Sequence, residues 1–329
     1  MEFSAYARAG LLGNPSDQYF GKIIAISVKN FSARVSIEES KDLRIEPSAE
    51  DLEIYRDENE FEERLRLYGY YGGTRLIKAA VKSFFDYCRA QGALPPPKNF
   101  GLRYSCDIPR QVGLAGSSAV IVAAMRALAA FYGVPIPGER LPTLVLRAEL
   151  NELGINAGYM DRVIQVYEGC VYMDLAQQLF ESRGFGEYER LDASILPTFY
   201  LAYKPDLGKV SGTVHNELRR AYDSGDPKAV WAVREMAALA EEGRESYGRG
   251  DFSAWPSLMD RNLDLRRRVM TISPGNLELI EAARRCGASA NFAGSGGSIV
   301  GIYQDDVMFD RLVKELRVLG ARVMKPKII

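Results

Sequence analysis

The chain has 329 residues, 47% hydrophobic and 26% charged, enough for two ordinary globular domains with substantial cores. Its 42 Lys and Arg against 43 Asp and Glu leave a net charge of −1, so no global field would hold it on nucleic acid or an anionic membrane, and an anionic ligand must be met by local arginines. One histidine, His215, excludes a multi-histidine metal site, and the four scattered cysteines form no C-x-x-C pair, which argues against zinc and for reduced thiols.

In chain order, Ala5–Leu12, Ile23–Val28 and Phe31–Ile37 read as strands, the last with clear alternation. The first turns carry Glu2, Arg8 and Asp17 and lack a signal-peptide apolar stretch, and no segment is long enough to span a bilayer, so a cytoplasmic protein is expected. Leu76–Tyr87 reads as a helix and Phe100–Cys106 as a strand. Helices follow at Ala119–Phe131, Leu141–Glu152 and Tyr159–Tyr167, then a strand at Gly169–Asp174. Leu179–Leu196 is polar and irregular. Beyond it come a strand at Phe199–Tyr203 and amphipathic helices over 210–222, 227–247 and 254–269. The closing order is helix 276–285, strand 288–292, a glycine loop, strand 298–303, helix 307–319 and strand 321–324, which suits helices on one face of an antiparallel sheet. The texture change places a domain boundary near residue 195, giving units 1–195 and 196–329.

Several stretches carry candidate chemistry. Pro109-Arg-Gln-Val-Gly113-Leu114-Ala115-Gly116-Ser117-Ser118-Ala119 opens a strongly apolar helix. Unpaired N–H groups and the positive dipole end make such a start an anion site, and glycines let the backbone approach a phosphate. Ser117 or Ser118 could instead cap an ordinary buried helix, and this stretch alone does not decide. It lacks the lysine and spacing of a Walker loop. Glu149 stands on an otherwise apolar helix and, taken alone, reads as a boundary residue. Asp161, at a helix start, suits the dipole there. Asp17, after Asn14-Pro15-Ser16, fits an Asx-type turn or a ligand to vicinal hydroxyls. Gly294-Ser295-Gly296-Gly297 reads as a hairpin loop, and Arg266-Arg267-Arg268 as a solvated helix face.

As a set, these stretches say more. Tyr6–Tyr19, the Gly113–Ala119 loop, Glu149 with Gly158-Tyr159-Met160-Asp161-Arg162, and Asn291–Ser298 resemble, in order and spacing, the GHMP kinase superfamily over nearly the whole chain. Within it, Gly10–Asp17, Gly69-Tyr70-Tyr71-Gly72-Gly73, Pro109–Ala119 and Ala240–Arg244 are similar to the plant glucuronokinase branch. Two residues, Ala115 and Gly116, separate Leu114 from the serine pair where most members have one, as in the fucokinase and heptose-kinase branch.

The resemblance implies an α+β, two-domain fold, with an N-terminal ribosomal-protein-S5-like α/β domain and a C-terminal ferredoxin-like domain. It implies ATP-dependent phosphorylation of the anomeric hydroxyl of D-glucuronate. A galacturonate, fucose or heptose-phosphate kinase, or a silent sugar sensor, remain alternatives. It assigns the nucleotide phosphates to Pro109 and Gly113–Ala119, and Mg²⁺ to Ser118 and Glu149. Asp161 becomes the residue that polarises the hydroxyl and Arg8 the cation at the transferring phosphate, while Asp17 and Asn14 bind the sugar. Gly294, Gly296 and Gly297 close over the site, Tyr71 offers a ring face, and Arg75, Arg110 or Arg162 could meet a sugar carboxylate. Expected partners are ATP, Mg²⁺ and a small sugar or uronic acid, with no nucleic acid or membrane, in a monomer or homodimer.

Overall fold

A computed structural model describes residues 1–47, 51, 72–92, 95–207 and 211–328, with backbone alone for 211–216. Tyr70, Tyr71 and the His215 side chain therefore lie outside the described residues.

The first sheet is built around one long strand. β1 (Glu2–Leu12) lies antiparallel along β2 (Lys22–Ser40). The other edge of β2 pairs in its second half with β4 (Asn99–Cys106) and in its first half with β5 (Cys170–Asp174). β3 (Arg44–Ile45) runs parallel beside β4, and β6 (Glu187–Leu191) closes the far side next to β5.

The two strands expected at 23–28 and 31–37 are this single β2. The polar residues Lys29 and Asn30, which fell between the two, are a bulge: Ala7 pairs with Val28 while Tyr6 pairs with Ser32. The bulge is tied to the chain end, since Lys29 N–H donates to Lys327 O at 2.8 Å. The stretch read as irregular also holds order, with a helix at Gln177–Arg183 before β6. β6 escaped notice because it is a partly exposed edge strand without an alternating apolar face.

The helix Gly116–Tyr132 is apolar on nearly every side and packs against β1 and β2 as the centre of the main core. The second sheet orders its strands β10 (Arg322–Met324), β7 (Phe199–Tyr203), β9 (Ser298–Ile302) and β8 (Asn291–Phe292), every pair antiparallel. Alternation along β7 sorts its two faces. Tyr200 and Ala202 join a core with Leu279, Ile280, Leu312 and Leu316 from helices Pro274–Arg285 and Asp306–Val318. Phe199, Leu201 and Tyr203 turn instead into the main core, beside Trp255 and Leu258 of helix Trp255–Val269. Helices were expected on one face only; the other face is also buried, which brings the Gly294 loop against the first sheet. No described helix is long and apolar enough to cross a membrane.

Candidate active site

The loop before helix Gly116–Tyr132 owes its shape to backbone geometry. Gln111, Gly113 and Ala115 take φ of 58°, 73° and 64°, in the left-handed region. Ala115 is the N-cap residue and no side chain caps the helix. Ser118 Oγ donates to Ala115 O at 3.3 Å, so neither serine plays the capping role that composition allows. An uncapped start to a long buried helix presents N–H groups and the positive dipole end to whatever lies in front of it.

The second glycine loop lies in front of it. A Cβ on Gly113 would stand 2.7 Å from Gly296 O and 3.0 Å from Ser295 N, and one on Gly297 would stand 2.9 Å from Val112 Cα. A Cβ on Gly294 would overlap Gly113 O and come within 2.8 Å of Arg8 Nη1. The two loops meet backbone on backbone, which only residues without a side chain allow. Asn276 holds the second loop by accepting from Gly297 N–H at 2.8 Å.

Arg8, on β1 and 4% exposed, reaches into this junction. Its Nε donates to Asp161 Oδ1 at 2.6 Å, and its Nη1 donates to Gly113 O and, at 3.0 Å, to Ala293 O. One guanidinium thus fixes the carboxylate at the start of helix Met160–Tyr167 against both glycine loops. From the same helix, Gln165 Nε2 donates to Ala115 O at 2.8 Å and locks it to the phosphate-type loop. Sequence reasoning passed over Gln165, although its position one turn after Asp161 put it on the same face.

Glu149 lies on a π-helical turn, Ala148–Glu152, that interrupts the expected continuous helix 141–152 after Arg147; such turns are frequent at functional sites. It is 1% exposed and accepts from Arg162 Nε at 2.6 Å and from Arg162 Nη2. Burial pushes the Glu149 carboxyl up, against the opposing pull of Arg162. Arg162 also donates to Gly158 O at 2.7 Å and stands 3.3 Å from Asp161 Oδ2. It is therefore committed to structure, not extended toward a ligand. Arg75 and Arg110 are exposed, at the start of helix Gly73–Ala90 and before the phosphate-type loop.

Asp17 is buried and accepts from Met160 N–H at 3.0 Å, and Gly158 is beside it because a Cβ there would strike its carboxylate. Burial pushes the Asp17 carboxyl up to about 6, with the Met160 N–H pulling the other way. Asn14 Nδ2 donates to Gly294 O at 3.2 Å, and Asn262 braces the turn by accepting from Gly13 N–H at 2.6 Å and donating to Asn14 O at 2.8 Å.

Arg266 departs from its expected place. Arg267 and Arg268 are exposed, but Arg266 is 1% exposed and donates to Gly294 O at 3.0 Å. Leu258, Met259, Asn262, Leu263 and Arg266 recur at the helical period and form the buried face of Trp255–Val269. That period was the available signal, and the triple-arginine run obscured it.

Two regions match family models, the GHMP kinases N-terminal domain over residues 75–169 and the GHMP kinases C-terminal domain over 236–321. Glucuronokinase 1 of Arabidopsis thaliana is 42% identical over 91% of this chain and 84% of its own length. Probable glucuronokinase 2 of the same plant is 43% identical over 91% and 83%. A galactokinase from Lactococcus lactis, solved with galactose, superposes with a TM-score of 0.77 at 15% identity, covering 99% of this chain and 93% of its own, which shows a shared fold. With both family models matched and two relatives above 40% identity over most of its length, this chain belongs to the GHMP kinases.

Proposed function

We propose that the chain transfers the γ-phosphoryl group of ATP to the anomeric hydroxyl of D-glucuronate, yielding glucuronate 1-phosphate and ADP. The observation that carries this reading is the single guanidinium of Arg8 joining Asp161 to both glycine loops. Phosphoryl transfer asks for positioning and charge neutralisation, and those groups offer it. The identity to plant glucuronokinases supports the choice of sugar.

In this reading the two domains, 1–195 and 196–329, meet at the reacting centre. The N–H groups of Gly116–Ser118 hold the nucleotide phosphates. Asp161 accepts the hydrogen of the sugar's anomeric hydroxyl while that oxygen bonds to the γ-phosphorus and the bond to the ADP oxygen breaks. Arg8 neutralises charge on the transferring oxygens. The donor set suits Mg²⁺, with one hydroxyl at Ser118 and one carboxylate at Glu149, whose contacts with Arg162 both fall on Oε2. Mg²⁺ bound there would neutralise phosphate charge.

The test is an ADP-release assay with product identification. Glucuronate should give the 1-phosphate, with kcat/KM at least about a hundredfold above that of glucose, because glucose leaves a buried cation unpaired. Chelation should abolish turnover and Mg²⁺ restore it. Equal rates with both sugars would reduce the reading to a general sugar 1-kinase.

The Asp17 carboxyl gives a pH signature. Its folded value of about 6 exceeds the ordinary 3.8, so between them the folded chain binds more protons than the unfolded one. Asp17 therefore costs stability at neutral pH, and that cost fades as pH falls through about 6. Sugar binding runs the other way, since protonation turns one acceptor oxygen into a donor and removes the charge that strengthens the bonds from two hydroxyls. The KM for glucuronate should rise as pH drops below about 6 while the KM for ATP stays level, and Asp17→Asn should flatten that profile at a uniformly raised KM. A sugar KM unchanged between about pH 5 and about pH 7.5 would remove Asp17 from the sugar site.

A further inference from the structure

Three arginines are buried among the described residues, and two have carboxylate partners. Arg8 is paired with Asp161 and Arg162 with Glu149. Arg266, 1% exposed, forms no ion pair with any described residue. Its Nη1 is taken by Gly294 O, its Nε is buried without a hydrogen-bond partner, and the ring of Phe292 covers one face at 4.9 Å. A guanidinium removed from water without a counter-charge is costly, and a helix face with room for leucine would not keep one for packing. Burial pushes its pKa down to about 10, which leaves it charged at neutral pH. The unpaired charge also looks into a concavity that it lines with Ser273, Asn276, Ser295 and Gly296.

Its place relative to the reacting centre limits what the missing anion is. Gly294 separates Arg266 from Arg8: its carbonyl accepts from Arg266, and a Cβ on it would abut Arg8 Nη1. In a hexuronate, the anomeric hydroxyl and the carboxylate are borne by the two carbons flanking the ring oxygen. A residue meeting the carboxylate must thus lie beside the groups that hold the sugar, and Arg266 does: its Nη1 and Asn14 Nδ2 donate to the same Gly294 O. With Nη1 occupied, Nε closed off and one face covered, Nη2 is the donor left for a carboxylate.

We propose that Arg266 is the specificity-determining cation of the sugar site, receiving the carboxylate of a uronic acid whose anomeric hydroxyl lies against Asp161. This rests on the uronate kinase reading above. It departs from the sequence expectation, which looked to Arg75, Arg110 or Arg162.

The experiment compares glucuronate, its neutral amide glucuronamide, and glucose in wild type, Arg266→Gln and Arg266→Lys, with the thermal shift on adding ATP as the check on folding. In wild type the amide should lose at least about a hundredfold in kcat/KM. In Arg266→Gln the preference for glucuronate over glucose should fall by a similar factor, carried mainly by KM. Arg266→Lys should raise the glucuronate KM with a smaller change in kcat, because a compact ammonium cannot reproduce the reach and direction of the guanidinium donor. An unchanged glucuronate-to-glucose ratio in Arg266→Gln with an intact ATP shift would overturn the proposal. Should that variant not fold, an unchanged glucuronate KM in Arg266→Lys, or an amide used as well as glucuronate by wild type, would overturn it equally. Wild type that fails to phosphorylate glucuronate at all would instead refute the underlying kinase reading.

Discussion

Replacing Asp161 by Asn is expected to lower kcat at least about a hundredfold, the scale for removing a positioned proton acceptor, while ATP binding persists. The asparagine keeps the size of the side chain but removes the charge that Arg8 and Arg162 face at 2.6 and 3.3 Å. The amide can still accept from Arg8 Nε through its oxygen, so the fold should hold. What it cannot do is take up the proton of an attacking hydroxyl. A single-turnover measurement separates the two roles, because the loss should appear in the chemical step and not in nucleotide affinity. A folded Asp161→Asn variant with near-wild-type turnover would remove this residue from the mechanism.

The second large effect is on stability. Truncating Glu149 to alanine would leave the Arg162 guanidinium, 3% exposed, with Gly158 O and the more distant Asp161 as its remaining partners. Breaking a buried pair from one side costs about 3–5 kcal/mol. The midpoint of urea denaturation of ligand-free Glu149→Ala should fall accordingly. Removing both charges in Glu149→Ala with Arg162→Met should recover most of that loss, because no buried charge is then stranded, yet activity should stay low. A carboxylate whose only role was to bind metal would leave the ligand-free protein as stable as wild type. That result would contradict the structural half of its role.

Much of the site was legible because its chemistry needs residue types that pattern cannot disguise. Glycines at 113, 116, 294, 296 and 297, with Arg8, Asp17 and Asp161, stood out as a set through their resemblance to the GHMP kinases. What escaped were residues whose role depends on which neighbour they face. Arg162 looked available for a ligand, yet its guanidinium is taken by Glu149, thirteen residues upstream. Arg266 looked solvated because two exposed arginines follow it, although Asn262 and Arg266, one turn apart, share the buried face. In the fold, the Lys29–Asn30 bulge was read as a strand break because local polarity does not distinguish a turn from a bulge whose N–H groups find a distant acceptor.

The contacts of Arg8 also bear on how the chain becomes active. Its three partners stand 105, 153 and 285 residues away in sequence. Loop closures that long come late in folding, after local helices and hairpins have formed. A collapsed intermediate, or a nascent chain that has not yet released residue 293, can carry nearly all of its secondary structure and still lack this junction. Regain of catalysis on refolding should therefore trail regain of helical signal, and turnover reports the arrival of the final strands more faithfully than any spectroscopic measure of secondary structure.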